Sequence, residues 1–159
     1  MTAARTAPGS HWLEPICAWL AFAIPCLGVG LRCEASSSWS GDPAVVRALA
    51  LVPAGGDGGG TSLLAQGAVL VPLGGRWLRI AALGALAAGA AGLACFELSR
   101  RLLRVNAATP VLGATLALAA AVMTTLSRPW QLEASSPGGA ALAVALGLWA
   151  LAAAVASSG

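Results

Sequence analysis

The chain has 159 residues, 58% of them hydrophobic and only 9% charged, with a mean hydropathy of +0.81. Ordinary soluble domains carry about 25% charged residues and leave much of their surface in water. This composition therefore excludes a soluble enzyme, a disordered tail and a nucleic-acid-binding module. The net charge of +3 comes from nine scattered arginines that form no basic stripe, so lipid is the solvent that suits the chain.

The first element is a span over residues 12–31, the length of apolar helix that crosses a bilayer. Pro15 and Pro25 interrupt its hydrogen-bond ladder, so neighbouring helices must satisfy the freed carbonyls. A cleaved signal peptide is the rival reading, with Arg5 upstream and the small residues Ala35 to Ser38 downstream. Trp12, Glu14 and Pro15 at the start of the apolar run argue for a retained span. Arg32 before Cys33 leaves no lipoprotein-type cleavage box.

An outer loop follows over residues 32–76. Asp42 and Pro43 form a helix-start signal, Asp as N-cap and Pro at the first helical position, which predicts a short helix from Pro43 to Val52. The glycine run Gly55 to Gly60 lacks the lysine of a phosphate loop and reads as a flexible linker. Thr61 caps a second short helix, which Pro72 and Gly74–Gly75 stop. Its apolar run, Ser62 to Leu73, is too short to span and suits an interfacial or re-entrant helix.

The second span covers residues 77–98. Within it Gly84, Ala88 and Gly92 recur every four residues, a face of small residues that lets another helix approach closely. A short arginine-rich loop with Arg100, Arg101 and Arg104 comes next, and Glu97 stands beside it as an ion-pair partner. The third span covers 107–127, the link Ser127 to Gly138 follows, and the fourth span covers 138–156. The fold class expected is all-α: a polytopic membrane protein of about four transmembrane helices with two short interfacial helices in the first outer loop. The whole of 1–159 reads as a single membrane domain.

Arginine placement sets the orientation. The cluster Arg100, Arg101 and Arg104 puts its loop in the cytoplasm, and with it the N-terminus. The loop 32–76 and the link 127–138 then face outward. Cys17, Cys26, Cys33 and Cys95 form no C-x-x-C and no cluster with histidine, and Cys17 and Cys26 fall on roughly opposite helix faces. They read as small hydrophobes, against a disulfide framework or a metal site. His11 reads as a solvated flank. The clear spans hold no central ionisable residue, which argues against a transporter half.

One sequence order carries a resemblance. W-S-G-D (Trp39 to Asp42) follows a lone first span, and V-P-L-G-x-x-x-x-R (Val71 to Arg79) leads into an Ala/Leu-rich span. A short arginine-rich inner loop, another span and P-W-Q-L-E-A (Pro129 to Ala134) come after it. This order resembles the N-terminal part of the protein O-mannosyltransferase-like glycosyltransferases of the GT-C superfamily, in particular their mostly bacterial branch with a G-D-S-x-E motif. It covers about residues 12 to 156.

The resemblance implies an integral protein of the bacterial inner membrane, corresponding to the N-terminal part of a larger GT-C domain. Such enzymes move a mannose-like sugar from a polyprenyl-phosphate carrier to a hydroxyl acceptor, including protein Ser or Thr. No cofactor is required, and the donor is the lipid-linked sugar. The partners implied are the bilayer, that donor, and a protein acceptor or the remaining C-terminal part of the enzyme, with no nucleic acid. Asp42 matches the catalytic aspartate thought to take the acceptor's proton, a role that suits an ionised carboxylate within hydrogen-bond reach. Arg47, Arg76 and Arg79 are candidates for the carrier phosphate, because guanidinium pairs well with phosphate oxygens; interfacial snorkelling is the plainer reading of each. Trp130 reads as an interface anchor near the substrate, and Glu133 matches an outer-loop glutamate of the family. Two departures stand out. The family's glutamate three residues after the aspartate falls at Val45. Its H-P-P-G-Y-P turn is replaced around Asp57 to Ser62 by D-G-G-G-T-S, which puts Asp57 near the place of the family's histidine. A second class of function is a small non-catalytic helical scaffold or assembly subunit that docks partners through small-residue faces.

Overall fold

A computed structural model of the chain describes residues 10–32, 67, 70, 72, 76–104, 110–135 and 140–157. Five helices are described over their length, and no described residue lies in a strand: α1 (Ser10–Arg32), α2 (Arg76–Arg104), α3 (Pro110–Thr125), α4 (Arg128–Ser135) and α5 (Ala140–Ser157). The expected helix 43–52 lies outside the described residues. Of the second expected surface helix only Gly67 and Leu70 are described, both helical, followed by Pro72 in irregular backbone.

Among the described residues two stretches are long and apolar enough to cross a membrane, Trp12–Leu31 on α1 and Ala81–Leu103 on α2. The expected third and fourth spans form apolar helices of 16 and 18 residues. At 1.5 Å per residue these measure about 24 and 27 Å, against a hydrocarbon core of about 30 Å. Two expectations about connections are corrected. Arg100, Arg101 and Arg104 do not form a loop but occupy the last turns of α2, which runs on to Arg104. Arginine is a good helix former, cations favour a helix C-terminus, and Glu97 bridges forward to both Arg100 and Arg101. The link 127–138 contains α4. Ser127 accepts a backbone hydrogen bond from Gln131 at 3.0 Å, and Pro129 stands in the first turn, where its missing N–H costs nothing.

The four long helices alternate in direction around α2, which touches every other helix. Near the start of α1, Glu14 meets Arg100 near the end of α2; at the opposite end Val29 clusters with Ala85. On α3, Ala114 and Ala117 cluster with Cys17, while at the other end Leu126 reaches Gly28, so α3 runs parallel to α1. On α5, Ala141 joins the Val29–Ala85 cluster and Trp149 donates its indole N–H to the Ala90 carbonyl at 3.1 Å, so α5 follows α2. The short α4 closes the end where α3 turns back.

The interior is built almost wholly of alanine, with Phe96 and Val29 among the few large buried side chains. The outside is as apolar as the inside. Trp12, Ile16, Trp19, Leu27 and Leu31 on α1, Leu116 and Met123 on α3, and Leu146 and Leu151 on α5 are exposed. In lipid such residues face a solvent of their own kind, and helices associate through close packing rather than expulsion of water.

That packing centres on the stripe of small residues on α2. Ala88 is fully buried. A Cβ added at Gly92 would collide with the Ala21 carbonyl oxygen and stand 2.8 Å from the Pro25 ring. One added at Gly84 would stand 2.6 Å from the Ala134 carbonyl oxygen. Pro25 has no N–H, so Ala21 loses its intrahelical donor. Ala134 sits in the last turn of α4, where carbonyls have no intrahelical donor either. Each glycine thus turns a Cα–H toward a carbonyl that its own helix leaves open, a weak but recurrent contact at helix crossings. On this account Gly92→Ala costs about 1–3 kcal/mol by overpacking. Gly147→Ala has nothing within 4 Å to meet and is neutral or slightly stabilising. Unfolding of the two variants in detergent micelles checks the contrast; equal stability of both removes the Gly92 contact from the account.

Candidate functional site

The alternation of helices gives the bundle two chemically different ends. One holds the C-terminus of α1, the N-terminus of α2 and all of α4. Residues 32 and 76, the helix ends that flank the segment 33–75, both stand at this end. The other holds the start of α1 and the arginine-rich end of α2.

The α4 end gathers several of the candidate residues. Arg79 stands in the first turn of α2 and is half-buried. Trp130 on α4 is also half-buried, packed against the Val29–Ala85–Ala134 cluster, and its Nε1 is buried without a hydrogen-bond partner among the described residues. Glu133 lies on α4, but its side chain falls outside the described part. Asp42, Arg47 and Asp57 lie outside the described residues, as does the side chain of Arg76.

Sequence reading missed the polar interior of this end. Gln131 is buried, and its amide Nε2 lies close to Gly28 of α1. Thr125 is buried too, and its hydroxyl donates to the Ala121 carbonyl at 2.7 Å, which satisfies it inside its own helix. Thr124 bonds Ala120 in the same way at 2.7 Å. The signal for Gln131 was the S-R-P helix start, which makes residues 128–135 a packed helix instead of a solvated link.

The opposite end is an ion network. Arg100 donates to Glu14 at 2.5 Å and to Glu97 at 2.9 Å, and Arg101 stands 3.8 Å from Glu97. The Glu97 pairings match the sequence expectation. Glu14, 86 positions away, does not follow from local spacing. Its trace in the sequence is a carboxylate at the mouth of an otherwise apolar span, a residue that needs a cation nearby. Among the described residues no group of three His, Cys, Asp or Glu is arranged to hold a metal, and Cys17, Cys26 and Cys95 are free thiols.

Because Arg100 ties two helices together while the Glu14 side chain is 45% exposed, the bridge is worth about 1 kcal/mol or less in water. Arg100→Gln is more damaging than Glu14→Gln, since it leaves two carboxylates beside each other. A double-mutant cycle on this pair is expected to show a coupling of about 0.5–1 kcal/mol. Strict additivity of the two single losses means that the contact contributes nothing to stability. Compared with known proteins, the chain matches no family model, no curated protein and no solved structure.

Proposed function

We propose that the chain is a membrane-embedded helical module whose working end is the α4 end. In its sharper form it is the N-terminal module of a GT-C, O-mannosyltransferase-like glycosyltransferase. The sugar moves from a polyprenyl-phosphate carrier to a hydroxyl acceptor on the non-cytoplasmic side, with Asp42 as the base. One observation carries this reading: Arg79, Trp130 and the helix bearing Glu133 share one end of the bundle with both anchor points of the segment that contains Asp42, Arg47 and Asp57. A site assembled from the first and second outer segments requires that convergence. The ordered motifs from Trp39 to Ala134 supply the rest of the support.

The rival reading, a scaffold that docks partners through small-residue faces, loses its best surface. The Gly84–Ala88–Gly92 stripe is consumed inside the chain, against Ala134, Ala21 and Pro25.

The test is transfer of mannose from polyprenyl-phosphate mannose to a Ser/Thr peptide by the chain reconstituted in vesicles. Asp42→Asn is expected to lower the rate by at least about a hundredfold, the lower range for loss of a general base. Unchanged transfer removes Asp42 from the mechanism, and no transfer by the wild type removes the activity from this chain. Topology is tested separately with Asp57→Cys in a background freed of native cysteines. An impermeant thiol reagent is expected to label it from outside; labelling only from the cytoplasmic face overturns the orientation.

A further inference from the structure

Insertion into a membrane responds to where cationic side chains fall: the end richer in Lys and Arg stays on the cytoplasmic side. The three arginines that end α2 therefore set the orientation only if the opposite end of the bundle holds fewer. The alternation of the helices shows that it does not. Arg32 closes α1, Arg76 and Arg79 open α2, and Arg128 opens α4, all at the α4 end. Arg100, Arg101 and Arg104 stand at the other end. In chain order Arg47 falls between Arg32 and Arg76 and counts with the first group, while Arg5 precedes α1 and counts with the second. The link that carries Arg47 is shorter than the roughly 60 residues beyond which loop charges stop mattering. The nine arginines thus divide five to four.

The carboxylates do not break this near-balance. Glu14 and Glu97 belong to the arginine end, where both bind Arg100. Glu133 is on α4, and Glu34, Asp42 and Asp57 share the link with Arg47. Five arginines less four carboxylates leave the α4 end at +1, and four less two leave the arginine end at +2, together the chain's +3. Arginine number favours a cytoplasmic α4 end by one residue, and net charge favours a cytoplasmic arginine end by one. Tryptophan anchors give no direction either, because Trp12 stands at one end and Trp130 at the other. The cluster on α2 looks decisive only while the opposing arginines, spread over three helices and a link, are not known to share an end.

We propose that the chain inserts into the membrane in both orientations, with the α4 end outward in one population and inward in the other. The two populations are poised, so one arginine gained or lost at either end tips their ratio. The single orientation expected from the cluster on α2 becomes one of two. The inference rests on the membrane-embedded reading of the bundle. It is independent of the glycosyltransferase reading, which needs only the molecules whose α4 end faces outward.

The experiment uses the full chain in the inner membrane of intact bacterial cells, in a background freed of native cysteines. Ser127→Cys reports the α4 end and Ser157→Cys the opposite end; both positions are exposed in the bundle. An impermeant thiol reagent is applied to intact cells, and the remaining thiols are labelled after the cells are opened. Each site is expected to label from outside in about half of the molecules. Arg128→Gln is expected to shift the ratio about fivefold toward an outward α4 end, and Arg101→Gln about fivefold the other way, the worth of one arginine at an anionic membrane surface. Where Arg101→Gln fails to accumulate, Ser127→Arg read at Ser157→Cys adds a charge at the α4 end and is expected to shift the ratio in the same direction. Labelling of Ser127→Cys from one side only overturns dual insertion. If that side is the outside, the orientation required by the glycosyltransferase reading stands; if it is the inside, both fall. A ratio that ignores every charge change also overturns the proposal.

Discussion

The arrangement of the bundle depends on the crossing of α1 and α2 at Pro25 and Gly92. Pro25 strips the Ala21 carbonyl of its helical donor, and in an apolar medium such a carbonyl is costly unless another group covers it. Gly92 covers it, because a residue without a side chain lets the carbonyl reach a Cα–H. The pairing brings the two longest helices together at their middles. With that crossing set, Ala88 is buried, Gly89 lies against Phe22, and Gly84 meets the end of α4. An alanine-rich interior follows from the same constraint, since backbones at this spacing leave room for little more than a methyl group.

Close backbone approach in the middle also explains where polarity goes. The long polar side chains move to the two ends. At one end Arg100 gathers Glu14 and Glu97 into a network that spans α1 and α2. At the other, α4 seals the bundle with a buried glutamine and with threonines that bond their own helix. Between them Trp149 spends its single donor on the Ala90 carbonyl, which ties α5 to α2 without introducing a charge. An apolar groove beside Trp19 sits between the crossing and the arginine end, where α1 and α2 leave room that their small residues do not fill.

Much of this was legible in the chain itself. The first and second spans stand out because their apolar runs are long and their flanks are arginines. The every-fourth-residue recurrence of Gly84, Ala88 and Gly92 announced a close approach, and Pro25 announced a carbonyl in need of cover. Which helix would fill which glycine was not legible, because spacing defines a face and not its neighbour. The arginine loop was misread for a related reason: a charge cluster looks like a loop until a carboxylate on another helix is known to lie beside it. α4 was misread as a link because eight residues carry too little periodicity to distinguish a packed helix from a solvated turn.

For the candidate site the balance is similar. Asp42, Arg47 and Asp57 were singled out through the resemblance and lie outside the described residues, whereas Gln131 and Glu14 acquire meaning only from neighbours far along the chain. Composition and periodicity by themselves determined that the chain is helical, apolar on all sides and able to cross a membrane, because those properties are sums over single residues and their immediate turns. Tertiary structure alone decided that the Ala21 carbonyl meets Gly92, that Glu14 meets Arg100, and that α4 caps the end where Arg79 stands. Each of these is a contact between segments whose separation along the chain leaves no local trace.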